Sequence, residues 1–225
     1  MRLAMTAELP TDPEAALALQ DRLRGRVDPT NPRPPEFRTV AGLDSAYDDE
    51  GNVVAAVVVL DAHTLEPIDT ATARGTAVFP YIPGLLAFRE LPTTIAALEN
   101  LGTTPDLLIC DGQGLAHPRR FGLACHLGLL TGLPTMGVAK TVWGNHSEPG
   151  NERGDASDIL LDGEIVGRAV RTQRGVKPVF VSVGHHIDLD TACATTLALS
   201  PQFRQPETTR RADHLCRTLL RSGVS

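Results

Sequence analysis

The apolar positions of this chain change their spacing along its length, and the changes divide it into elements. Leu17, Leu19 and Leu23 stand among charges after Thr11-Asp12-Pro13, which predicts a capped amphipathic helix over 11–26. Four prolines between Asp28 and Pro35 predict an extended connector. Thr39 to Tyr47 reads as a strand with Asp44 inside it. Val53 to Leu60 is a continuous β-branched run, and Thr70 to Phe79 alternates more loosely. Gly51-Asn52 and Leu65-Glu66-Pro67 supply the turns. Three strands in a row without helices predict an antiparallel meander.

From Phe88 the period lengthens. Phe88, Leu91, Ile95 and Leu98 recur at helical spacing, and Pro92 predicts a kink or a restart because it removes the bond to the Phe88 carbonyl. Asp106 to Cys110 reads as a strand buried on both faces. A helix is expected from about Pro118 to Leu130, a strand from Thr135 to Ala139, and a polar loop at about 145–158. Leu160 to Val170 reads as a hairpin turning at Asp162-Gly163, Val179 to Val183 as a strand, and Asp188 to Leu199 and Pro206 to Leu220 as helices. The order predicts an α/β fold: a mixed β-sheet with one antiparallel half, flanked by helices, as in the ribonuclease H-like arrangement. There are no repeats, and the chain reads as one domain over 1–225.

Composition narrows the function. A chain of 225 residues suffices for one large core. No apolar run approaches the ~20 residues of a membrane span, and MRLAMTAELP lacks the apolar stretch of a signal peptide. The expectation is a cytoplasmic protein with no membrane partner. Cys110, Cys125, Cys193 and Cys216 form no C-x-x-C pair and read as buried, reduced thiols. A net charge of −6 argues against non-specific coating of nucleic acid but leaves room for a local basic groove. Of the 21 Lys and Arg residues only Lys140 and Lys177 are lysines, so a lysine where arginine is the habit reflects either a need for a compact ammonium or chance.

The stretch DGQGLAHPRRFG, Asp111 to Gly122, packs an anion, a flexible backbone and cations together. Ligands of open α/β sheets gather outside the carboxyl ends of parallel strands, where Asp111 stands. Asp44 lies within a core strand, and Glu90 flanks a helical apolar stripe. Three carboxylates from separate elements would suit Mg²⁺, which activates water and steadies a leaving oxygen in phosphodiester cleavage. Taken singly, each has a plainer role: Asp44 capping a turn or pairing with an arginine, Glu90 on the surface. Lys140, ending TMGVAK, would face a scissile phosphate or snorkel into solvent. His117, Arg119 and Arg120 would hold a backbone phosphate at a helix start. Arg168, Arg171, Arg174 and Lys177 form a second cluster, either a groove wall or solvated surface. Pro80 and Pro83 bracket Tyr81-Ile82 in a stiff loop, either a wedge between stacked bases or a turn that merely packs.

Five blocks carry a resemblance to a known family: AGLDSAY (41–47), PYIPGLLAFRELP (80–92), DGQGLAHPRRFGLACHLGLLTGLPTMGVAK (111–140), VKPVFVSVGHHI (176–187) and PETTRRAD (206–213). In this order they closely resemble endonuclease V, the deoxyinosine-specific DNA repair nucleases, over about residues 10–215. The resemblance implies a ribonuclease H-like fold and a Mg²⁺-dependent enzyme, with Mn²⁺ as a substitute. It also implies a nick one nucleotide beyond the lesion on its 3′ side, with the damaged base left in place. It assigns metal binding to Asp44, Glu90 and Asp111, and catalysis to these with Lys140 and Asp213. Pro80, Tyr81, Ile82 and Pro83 become a strand-separating wedge. Gly84, Leu86, Gly112, Gly114 and Leu123 surround an everted base. The partner implied is DNA containing deoxyinosine, met by a monomer. Inosine-containing RNA is an alternative substrate, and a non-catalytic lesion-binding protein an alternative reading. This chain departs from the family at Gln113, where a histidine is usual, and has GHHI for GHRI and PETTR for PEPTR.

Overall fold

The computed structural model describes residues 1–30 and 36–222. Its centre is one eight-stranded sheet in the order β3-β2-β1-β4-β5-β8-β7-β6. The strands are β1 (Thr39–Tyr47), β2 (Asn52–Asp61), β3 (Pro67–Thr76), β4 (Leu107–Cys110), β5 (Thr135–Ala139), β6 (Ala156–Leu161), β7 (Glu164–Val170) and β8 (Val179–His185). β1, β4 and β5 run parallel in the middle. The β1-β2-β3 meander is antiparallel as expected. The other flank, β5-β8-β7-β6, is antiparallel too, so the sheet has two antiparallel wings instead of one antiparallel half.

Helices cover both faces, and that is why β2 is buried from Val53 to Leu60 without alternation. On one face Val57 and Val59 pack in a core with α1 (Pro13–Arg24), α2 (Leu86–Glu99) and α3 (Leu123–Thr131). On the other, Val54, Ala56 and Val58 pack in a core with α4 (Leu189–Ala198) and α5 (Glu207–Ser222). All four cysteines are buried and free.

One close approach fixes the register of α5 on the sheet. A Cβ at Gly42 of β1 would lie 2.1 Å from the backbone carbonyl carbon of Thr208, in the first turn of α5. Only a residue without a side chain lets the helix sit there. Asp44, two residues on, points to the same face of the strand.

Several expectations need correction. α2 runs unbroken through Pro92, so the helix does not restart there. α3 begins at Leu123 and not at Pro118, because Arg120 takes φ 56° and ends any helix at that point. β3 stops at Thr76, leaving Val78 exposed and Phe79 turned into the core. The polar loop is shorter than expected, since β6 starts at Ala156. The β6–β7 hairpin does turn at Asp162-Gly163, with φ 54° and 82°, the positive pair a two-residue turn demands. Within the proline-rich connector, residues 31–35 lie outside the described residues.

Candidate active site

Two carboxylates leave neighbouring strands at one level. Leu43 of β1 pairs with Cys110 of β4, and the Asp111 N–H donates to the Leu43 carbonyl at 3.2 Å. Asp44 and Asp111 thus follow side by side at the carboxyl edge of the parallel strands. α5, held by Gly42, brings Asp213 to Asp44. Burial first, then the charge of Asp111, pushes the Asp44 carboxyl up to about 8. Asp213 faces burial too, but hydrogen bonds from Arg217, 2.7 Å away, and from Asp44 hold it below its usual range. Asp44 is thus pushed towards its neutral form and Asp213 towards its charged one.

Glu90 comes from the first half of α2 and lines the same cavity as Asp111. Desolvation and then Asp111 push it up to about 8. The Arg89 guanidinium lies 5.0 Å from the centre of the Tyr47 ring beside it. Lys140, just past β5, donates to Asp111 Oδ2 at 2.6 Å. Burial works against the ammonium, but the Asp111 carboxylate outweighs it and keeps Lys140 charged. Gln205 Nε2 stands 3.5 Å from the same oxygen. Among the described residues, no three Asp, Glu, His or Cys side chains close around one point as placed. The three carboxylates offer oxygen donors only, two of them driven towards neutrality by burial and by a neighbouring carboxylate, a strain that a bound cation would relieve.

Beside this acidic edge opens a cavity of about 510 Å³. Tyr81, Pro83, Gly84 and Leu86 form one wall and Gly112, His117 and Leu123 another, with Glu90, Asp111 and Lys140 at the acidic side. A Cβ at Gly112 would meet only Leu123, at 3.8 Å, so glycine there leaves room that a side chain would take. Tyr81 is 72% exposed at the rim. Pro80 is exposed and Ile82 packs against the core, so the rigid loop carries an aromatic tip alone.

Other sequence expectations find different employment. Gly114 does not line the cavity: a Cβ there would lie 2.0 Å from the Val183 carbonyl oxygen, and its N–H donates to Ser182 Oγ at 2.8 Å. It is a glycine because β8 passes against it. His117 is buried, with Nε2 2.9 Å from the Gly84 carbonyl and Nδ1 accepting from the Arg119 N–H. Burial lowers it to about 4, so it is neutral at pH 7 and braces the turn at Gly84 instead of offering a cation. Arg119 pairs with Asp21, and Arg120 with Glu164 at 3.2 Å. The second cluster is structural: Arg168 bridges Asp158 and Asp190, buried Arg171 binds Glu148 and the carbonyls of Pro149 and Gly150, and Arg174 pairs with Glu152. One first-turn donor of α3 is also spent, since the Ala124 N–H donates to the Gln113 carbonyl at 3.1 Å.

The sequence reading missed the loop after Lys140. Thr141, Val142 and Trp143 border the cavity, and Gln113 Nε2 donates to the Thr141 carbonyl at 2.7 Å. The signal was a single tryptophan three residues beyond the lysine.

Comparison with known proteins gives the family and the fold. A family model described as Endonuclease V matches residues 21–214. A Nocardia farcinica protein named Endonuclease V is 68% identical over 217 residues, 96% of each chain. The solved structure of Endonuclease V from Streptomyces avermitilis superposes with a TM-score of 0.91 at 59% identity, covering 98% of both chains. Endonuclease V of Ciona intestinalis, solved with a 23mer DNA containing an inosine followed by a ribo-adenosine, gives a TM-score of 0.84 at 27% identity, covering 94% of this chain and 98% of that one. The sheet is thus the ribonuclease H-like one expected from the order of elements. No helix among the described residues is long and apolar enough to cross a membrane.

Proposed function

This chain belongs to the endonuclease V family and is a nuclease, and on that footing we propose that it recognises deoxyinosine in DNA and hydrolyses the second phosphodiester bond on the 3′ side, leaving the lesion in place. One observation carries the reading: a cavity of about 510 Å³, within the usual range for small ligands, opens directly onto the acidic edge. A base drawn into it would set its own backbone against Asp111 and Lys140.

The donor set suits a hard divalent cation, Mg²⁺ with Mn²⁺ as a substitute, held by Asp44, Glu90 and Asp111. Such an ion supplies an activated water and a counter-charge for the leaving oxygen. The rest falls to the chain's own groups. Lys140 lends its ammonium to the phosphate beside Asp111. Asp213, held charged by Arg217, orients Asp44. Tyr81, carried by the stiff proline loop, fills the gap left in the stack, and Gly112 makes room for the base. The protein would act as a monomer.

The test is cleavage of a labelled duplex with one deoxyinosine, in Mg²⁺ and in EDTA. A single nick 3′ of the lesion, dependent on Mg²⁺ and absent from undamaged duplex, is expected. Equal cutting of both duplexes, or cutting in EDTA, would overturn the reading. Inosine in RNA is a second reading, favoured by the ribo-adenosine next to the inosine in the Ciona complex; preference for inosine RNA over the DNA strand would select it. The set of half-buried carboxylates, raised by desolvation and by one another, speaks for a cation-dependent reaction over a purely binding role.

A further inference from the structure

Only 4% of this chain is aromatic, and Trp143 is its one tryptophan. It borders the cavity together with Tyr81, yet the two come from different loops. The indole is 40% exposed. A lone exposed apolar side chain would mean little, but this one is mounted on a fastened loop. On one side Gln113 holds the Thr141 carbonyl at 2.7 Å, and Arg204 reaches the Lys140 carbonyl at 3.4 Å. On the other, Gly144 takes φ 101°, with its Cβ position 2.5 Å from the Leu160 carbonyl oxygen, and Asn145 exchanges two backbone hydrogen bonds with Leu160 at 2.8 and 2.7 Å. Trp143 is thus presented on a rigid stretch three residues beyond Lys140.

We propose that Trp143 is a stacking platform for the nucleobase flanking the one that enters the cavity, and so sets a preference for substrates whose flanking base is unpaired. The proposal rests on the nuclease reading above. When one base leaves the stack, its neighbour loses a stacking face. An indole fixed at the rim replaces that face, for any base identity, because every base has a π-face. In a duplex the flanking base keeps its own partner and gains less. The occupant is a nucleobase and not an apolar protein segment, because the same rim carries Lys140 and opens onto a site built for phosphate.

Because the chain has one tryptophan, its emission reports this residue alone. The full chain is titrated in EDTA with unlabelled single strands, with and without one deoxyinosine, and binding is followed in parallel by anisotropy of labelled copies. Saturable quenching whose midpoint matches binding is expected. Trp143→Ala should weaken binding of the deoxyinosine strand roughly tenfold, and the duplex less. Trp143→Phe should restore most of the affinity and show that the fold survives. Binding with unchanged tryptophan emission, or equal losses on strand and duplex, overturns the stacking proposal alone. Absence of any preference for deoxyinosine, in binding and in the nicking assay, overturns the reading beneath it and this proposal together.

Discussion

The Lys140 ammonium lies 2.6 Å from Asp111 Oδ2. On the proposed reading this lysine would play two parts, counter-ion to Asp111 before a cation arrives and phosphate partner afterwards. Lys140→Gln should therefore bind Mg²⁺ more tightly, by titration calorimetry, while nicking falls roughly 10²-fold. Unchanged nicking would remove the lysine from the reaction. Asp111→Asn should cost on the order of 10³-fold or more in nicking with the fold intact by circular dichroism.

The charge conflict at the acidic edge makes stability depend on pH in a definite direction. Asp44 and Glu90 keep their protons in the folded, metal-free protein up to about 8, whereas the unfolded chain releases them near about 4. Between those values the folded state binds more protons, so stability falls as pH rises. The melting temperature without metal should decline from pH 5 to pH 8. Added Mg²⁺ should restore it at pH 8 and do little at pH 5. Asp44→Asn should remove about half of this slope, Glu90 supplying the rest, and raise stability at pH 8 by about 1 kcal/mol, while abolishing nicking.

Gly112 and Gly114, two residues apart, should fail in different ways. Alanine at Gly112 meets only ordinary contacts, so Gly112→Ala should melt within about 1 kcal/mol of the parent yet bind deoxyinosine DNA poorly. At Gly114 the added carbon collides with the Val183 backbone, so Gly114→Ala should lose about 3 kcal/mol or more. Paired melting and binding measurements on the two variants separate base room from packing. Equal melting temperatures would refute the distinction.

Tyr81, exposed on its proline-bracketed loop, should matter for capture and not for the metal. Tyr81→Ala is expected to weaken deoxyinosine duplex binding by about 1–3 kcal/mol, with Mg²⁺ affinity unchanged. Parent-like DNA binding would count against the wedge.

Much of the frame was legible in the chain because local rules decided it. Thr39 to Tyr47 was bounded by prolines on one side and charges on the other, and the strand has those limits. Asp162-Gly163 has the composition a tight turn needs, and the turn is there. What stayed hidden depends on partners distant in sequence. Nothing near Arg119 announces that Asp21 will neutralise it, and nothing near Gly114 announces the passage of β8. Pro118 looks like a helix start, but the positive φ of Arg120 delays α3 to Leu123. The acidic site itself is read from strand ends, while Trp143 is placed by a loop whose path Gln113 and Leu160 determine.

The seat of α5 on Gly42 also orders events in time. Asp44 is synthesised early, and Asp213 arrives with a helix made long afterwards, which docks only where the strand is bare of a side chain. Until that helix leaves the ribosome, the sheet face under it stays open and Asp44 lacks its proton-sharing neighbour. Closure of this face therefore waits for a late-made helix, however early the meander forms.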